Sequence, residues 1–212
     1  MTTEDNIAKA LLEIGAVGFS LEKPIRFKTG ILSPVYVDNR KLPFYPSRWQ
    51  IIFQGFEQLI EDSYISFDVL SGVETAGIPH SAALGYVLKR PSVFVRKTVK
   101  DHGTKKMVEG GDVVGKKVLL IEDHVTTGSS SLTAVESLRD AGAIVTDCLS
   151  ITSYEFKEAK AAFSKAHVRL HTLTSFSHIF KSAIQMKKIT DKEVKIVKEW
   201  INNPYSWSKK HE

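Results

Sequence analysis

VLLIEDHVTTGSSS, Val118 to Ser131, decides how this chain folds. Its unbroken apolar run fits a strand buried on both faces, and the Thr, Gly and Ser that follow fit a tight loop opening a helix. The strand delivers two adjacent carboxylates, Glu122 and Asp123, to the sheet edge. The small residues after them let backbone N–H groups close around an anion. The hydroxyls of Thr126, Thr127, Ser129 and Ser130 add donors, and the helix dipole favours negative charge there. Two carboxylates beside a phosphate cradle would repel the phosphate itself. They suit sugar hydroxyls or a metal-bound sugar on the same ligand, so the stretch points to a phosphorylated sugar. The plainer reading is a solvated acidic turn followed by a serine N-cap.

Working outward, strands and helices alternate. FDVLSG (Phe67 to Gly72) is a buried strand, IPHSAALGYVLK a helix and SVFVR (Ser92 to Arg96) a strand. KKVLLIED (Lys116 to Asp123) is the most apolar strand, and SLTAVESLRDAG is a helix ended by Gly142. AIVTDCLSIT is a strand, Phe156 to Ala166 a helix and HVRLHTL a last short strand. Upstream, Thr2-x-x-Asp5 reads as a capping box, Gly15 to Asn39 as irregular and β-like, and Pro46 to Asp62 as an amphipathic helix. Thr190-x-x-Glu193 caps a C-terminal helix. Such alternation predicts an α/β fold with a parallel sheet covered on both faces. Ligands of such sheets bind outside the carboxyl ends of the strands. Here that means Gly72 to Pro79, Arg96 onward and Glu122 onward.

The 212 residues, 42% hydrophobic and 25% charged, exclude a disordered or fibrous chain. A chain this long buries roughly 70% of the surface its unfolded form exposes, and so needs no disulfide staples. Cys148 is the lone cysteine, which fits a reducing compartment. No apolar run approaches the roughly 20 residues that span a bilayer. The N-terminus carries acids where a signal peptide needs bases, so a cytoplasmic protein without membrane attachment is expected. Lys plus Arg minus Asp plus Glu, 29 − 24, leaves +5, which suits anionic small molecules or a weak nucleic-acid contact. Gly110-x4-Gly115-Lys116 imitates a Walker A loop, but Lys117 stands where Ser or Thr must hold Mg²⁺, and a strand follows.

The segment RKTVKDHGTKKMVEGG, Arg96 to Gly111, starts at a strand end and gathers Arg96, Lys97, Lys100, His102, Lys105 and Lys106 among glycines. Its few apolar anchors suit a mobile loop that neutralises a pyrophosphate and excludes water when it closes. A solvated charged loop is the alternative.

The Val118 to Ser131 stretch resembles the PRPP-binding motif of type I phosphoribosyltransferases: an apolar strand, two acids, two variable residues, then Thr, a small residue, Gly and small residues. RK-x-x-KDHG resembles the catalytic loop of the orotate phosphoribosyltransferases. FKTGILSPVYVDNR (Phe27 to Arg40) is similar to that family's N-terminal substrate segment, and FDVLSGVETAGIPHSAAL to its second strand and following turn. AHVRLHTL and the closing NNPYSW have counterparts in bacterial members.

The resemblance implies a type I phosphoribosyltransferase fold: a central, mainly parallel sheet flanked by helices, with an N-terminal substrate segment, or hood. It implies one domain over 1–212, divided into helices and hood (1–65), a PRPP-binding core (66–175) and C-terminal helices (176–212). The implied reaction moves the ribosyl 5-phosphate of PRPP to N1 of orotate, in pyrimidine biosynthesis, with Mg²⁺ bound to PRPP. Arg96, Lys97, Lys100 and His102 would contact the pyrophosphate, and Glu122 and Asp123 the ribose hydroxyls. His124 and Val125 lie in the PRPP loop, and Thr126, Thr127, Gly128, Ser129 and Ser130 would cradle the 5-phosphate. Lys28 and Thr126 would also stand near orotate. Lys100, His102 and Asp123 would carry catalysis. A homodimer exchanging the basic loop is implied, with no nucleic acid or membrane partner.

Two departures bear on the acceptor. Thr75-Ala76 replaces the Tyr-Lys pair of one branch, and Ser153-Tyr154 replaces the Asp-Arg pair of another, whose Arg meets orotate. The SITSY segment resembles an aromatic variant in some bacterial members. Transfer to another base and a PRPP-sensing, nucleic-acid-binding regulator are the competing functions. Among other residues, His80 is assigned to packing or capping, and Tyr36, Trp49, Phe53 and Phe56 to the core. His124 either adds a charge to the loop or points off the sheet. Trp200 and Trp207 pack the C-terminal tail, Cys148 is core, His167 and His171 lack a metal-ligand spacing, and Arg26 and Arg40 are left open.

Overall fold

The computed structural model describes residues 2–27, 29–98 and 107–212; Lys28, Lys100, His102, Lys105 and Lys106 lie outside the described residues. In chain order the elements are α1 (Thr3–Glu13), β1 (Val17–Phe19), β2 (Ile25–Arg26), β3 (Leu32–Ser33), β4 (Val35–Val37), a 3₁₀ turn (Asn39–Phe44) and α2 (Pro46–Asp62). Then come β5 (Val69–Val73), α3 (Gly77–Leu88), β6 (Ser92–Val95), β7 (Val108–Glu109), β8 (Lys117–Val125), α4 (Ser129–Asp140) and β9 (Ile144–Ser153). The chain finishes with α5 (Lys157–Lys165), β10 (Arg169–Ser175), α6 (Phe176–Gln185), α7 (Asp191–Asn202) and α8 (Pro204–Lys210).

Local chemistry sets many of these boundaries. Thr2 Oγ1 accepts the Asp5 N–H at 3.2 Å while the Thr2 N–H donates to the Asp5 carboxylate at 3.1 Å. Thr190 and Glu193 form the same reciprocal cap on α7. Pro46 opens α2, where its missing N–H costs nothing.

Six strands form the main sheet in the order β10-β9-β8-β5-β6-β7. All run parallel except β7, which folds back antiparallel on β6. Parallel pairing requires crossovers, and the intervening helices supply them. α3 packs on β5 and β8, α4 on β8 and β9, α1 and α2 on β10. From β5 the chain proceeds to β6 on one side; from β8 it proceeds through β9 to β10 on the other. The order therefore reverses between β5 and β8, and such a switch point opens a crevice at the strands' carboxyl ends. Gly77 allows the close packing there, since a Cβ at this position would lie 2.5 Å from the Ile121 carbonyl oxygen.

The N-terminal strands pair apart from the main sheet, β1 with β4 and β2 with β3. The C-terminal helices hold them: the Leu32 N–H donates to Ser208 Oγ at 2.9 Å, and Trp200 Nε1 donates to the Leu32 carbonyl at 3.1 Å. Tyr154 lies at the centre of an aromatic cluster with Phe27, Phe156, Phe176 and Trp200. Trp200, Trp207, Phe53, Phe56 and Cys148 are buried as expected.

Two expectations are corrected. Tyr36 is not core: β4 alternates, so Val35 and Val37 face inward and Tyr36 faces the other way. His124 does not add a charge. β8 runs two residues further than expected, and the His124 ring lies edge-on to Tyr154, with Nδ1 2.8 Å from Thr152 Oγ1. Burial pushes it down to about 3, so the ring is neutral.

Candidate active site

A cleft of about 580 Å³ opens at the switch point. The end of β8 and the loop into α4 form one wall, the turn after β5 a second, and the N-terminal strands a third. Glu122, Asp123 and every residue from His124 to Ser130 line it, as the sequence led one to expect.

The two acids differ in setting. Glu122 is buried; its Oε2 accepts the Ser131 hydroxyl at 3.0 Å and its Oε1 the Asp123 N–H at 3.1 Å. Burial, then the adjacent Asp123 charge, raises the Glu122 carboxyl well above the usual range. Burial also raises Asp123, but hydrogen bonds and the charge of Arg40 pull it back. Burial thus raises Glu122 further than its neighbour, and half-buried Asp123 is the carboxylate facing the cleft. Gly128 caps α4 at φ +82°, and a Cβ there would lie 2.7 Å from Phe163 Cε2. Only glycine meets both demands, and its turn brings the unpaired N–H groups at the start of α4 to the cleft wall.

Across the cleft, the Glu74–Thr75 peptide is cis, and Glu74 Oε2 accepts the Lys97 N–H at 2.6 Å. Lys97 lines the cleft. Arg96 is not among the lining residues: its Nη1 pairs with Glu109 at 3.0 Å across the β6–β7 hairpin, and its N–H donates to the Met107 carbonyl at 2.9 Å. Those contacts close the base of the basic segment.

The third wall comes largely from the Phe27 to Arg40 segment, whose likeness to a substrate segment marked it as a whole without assigning its individual residues. Arg26, Phe27, Tyr36 and Arg40 all line the cleft. Strand alternation was the signal for Tyr36. Asn39, in the same segment, is buried in the 3₁₀ turn; its Nδ2 donates to the Asp123 carbonyl at 2.6 Å and to Thr152 Oγ1 at 2.7 Å. Tyr154 is buried and supplies no cation, and Thr75 and Ala76 line the cleft without one. His80 is a packing residue: its Nδ1 accepts the Trp49 indole N–H at 2.9 Å, and burial pushes it down to about 4.

An acid-tipped strand and a glycine-turned anion loop at the switch point of such a sheet define a type I phosphoribosyltransferase, and the phosphoribosyl transferase domain model matches residues 47–172. Within that class the chain belongs to the orotate phosphoribosyltransferase family. It is 39% identical to the orotate phosphoribosyltransferase of Coxiella burnetii over 98% of this chain and 99% of that protein. It is 41% identical to that of Staphylococcus saprophyticus, over 93% and 97%. The solved orotate phosphoribosyltransferase of Aeropyrum pernix matches with a TM-score of 0.73 at 27% identity, covering 87% of this chain and 99% of that one.

Proposed function

We propose that the chain transfers the 5-phosphoribosyl group of PRPP to N1 of orotate, forming orotidine 5′-monophosphate and releasing pyrophosphate. The observation that carries this is a single cleft joining an anionic Asp123, the Thr126–Ser130 anion loop and an arginine-bearing third wall. The loop holds the 5-phosphate, and Asp123 meets the ribose hydroxyls. As the C1–pyrophosphate bond breaks and the N1–C1 bond forms, positive charge grows on the ribose and the leaving group needs neutralising. Lys97, with Lys100 and His102 from the basic segment, serves that purpose, each charged contact contributing about 1.5–3 kcal/mol, while Arg96, paired with Glu109, holds the start of that segment. Thr126 would contact the acceptor, and Lys28, outside the described residues, is assigned there by the resemblance alone.

Mg²⁺ belongs to this reading as an ion brought by PRPP. The half-buried Asp123 carboxylate beside the anion loop suits it, and when bound it neutralises diphosphate charge. The chain is read as one domain, acting as a cytoplasmic homodimer that shares the basic segment, with neither nucleic acid nor membrane as partner. No helix among the described residues is long and apolar enough to cross a membrane.

Purified protein with PRPP, Mg²⁺ and orotate should consume the orotate absorbance; no consumption at micromolar enzyme would reject the reading. Transfer to another base is the second reading, prompted by Tyr154 in place of a cation. A base panel scored by pyrophosphate release separates the two, and preference for a purine would favour it.

A further inference from the structure

We propose that Arg40 recognises the carboxylate of the acceptor base. This rests on the orotate reading of the site. Orotate is uracil with a carboxylate on C6, the carbon next to the N1 that attacks the ribose. A cation that reads this group must stand close to the reacting ribose carbon, and therefore close to the acid that holds the ribose hydroxyls.

Among the described residues, the cleft offers Arg26, Arg40 and Lys97 as cations. Lys97 follows β6, separated from β8 by β5, and so lies on the pyrophosphate side. Arg26 Nη1 bonds both the Gly30 carbonyl at 2.8 Å and Glu212 at 3.0 Å, which turns that side chain toward Glu212 rather than toward Asp123. Arg40 has the required neighbour: it and Asp123 each favour the charged form of the other. Its position is set by the chain as well. The preceding residue, Asn39, is bonded to the Asp123 carbonyl at 2.6 Å, which ties the Arg40 backbone to the tip of β8.

The side chain is held for the task. Nε donates to Asp38 Oδ1 at 2.6 Å and Nη2 to the Tyr36 hydroxyl at 2.7 Å. These two contacts fix the plane of the guanidinium. Among the described residues Nη1 meets no hydrogen-bond acceptor, and the side chain is 58% exposed. A planar fork with one end open matches a carboxylate in geometry as well as charge. Asp38 already offsets the formal charge, so the selectivity comes from directed, charge-assisted hydrogen bonds.

The test compares wild type, Arg40→Ala and Arg40→Lys, with orotate, uracil and PRPP each varied. Losing a charge-assisted contact should raise the orotate KM of Arg40→Ala by about tenfold or more. The PRPP KM, which Arg40 touches only through its charge on Asp123, should rise by a clearly smaller factor, uracil use should change less than orotate use, and Arg40→Lys should fall between. Should Arg40→Ala not fold, Tyr36→Phe removes one support of the fork and should raise the orotate KM alone by a smaller factor. An unchanged orotate KM, or orotate and PRPP KM values rising by the same factor, overturns the assignment. Wild-type protein that ignores orotate would instead reject the reading beneath it.

Discussion

Asn39 and Asp123, 84 residues apart in sequence, are joined by a hydrogen bond of 2.6 Å from the Asn39 side chain to the Asp123 backbone carbonyl. The bond ties the N-terminal strands to the carboxyl end of β8, with Thr152 on β9 as a second anchor at 2.7 Å. The third wall of the cleft is thereby positioned against the acid pair.

Asn39→Ala removes both anchors from a fully buried position. Leaving those acceptors without a donor should lower stability by about 1–3 kcal/mol. Both PRPP and orotate KM should rise, because the two walls lose their common reference. Thermal melting with steady-state kinetics checks this; wild-type behaviour in both would show the tether to be dispensable.

Glu122 makes stability depend on pH in a stated direction. Its carboxyl is raised in the folded chain, so between the unfolded and the raised folded value the native state binds more protons. Stability then falls as pH rises through that window and is recovered on acidification. Glu122→Gln should flatten this slope, gaining relative to wild type at the alkaline end. Denaturant titrations at several pH values measure it, and parallel curves for the two proteins would count against a protonated Glu122.

Gly128→Ala meets two obstacles, a backbone at φ +82° and a Phe163 ring carbon 2.7 Å from the added methyl. Stability should drop by about 1–3 kcal/mol, and PRPP KM should rise as the anion loop shifts. A variant with unaltered melting and PRPP kinetics would mean that the loop accommodates a side chain.

Glu74 acts through the Lys97 backbone N–H, so the shape of its acceptor matters more than its charge. Glu74→Ala should reduce kcat/KM for PRPP by about fivefold to tenfold, the scale of one lost ordinary hydrogen bond. Glu74→Gln, which retains a carbonyl oxygen, should restore most of it. Equal losses in the two variants would point to the charge instead.

The legible parts of this protein are those written in consecutive residues. The apolar run of β8, its two acids and the loop into α4 can be read directly because strand, turn and helix start are local events. The bounds of α2, Pro46–Asp62, and the caps at Thr2 and Thr190 follow from the same short-range chemistry. Elsewhere the signal was present but weak. β7 pairs through only two residues, and α6 begins directly at the end of β10, where one period gives way to another.

Sequence by itself thus determined the α/β class, the acidic strand end, the anion loop and the basic segment, since each is specified by residue type at fixed spacing. Tertiary structure alone decided which acid is raised further, that His124 is half-buried and neutral, that Arg40 lines the cleft and that Asn39 ties its neighbour to the tip of β8. Burial and long-range hydrogen bonds set those properties, and they exist only once segments some 80 to 110 residues apart, such as Asn39 with Asp123 and Thr152, have been brought into contact.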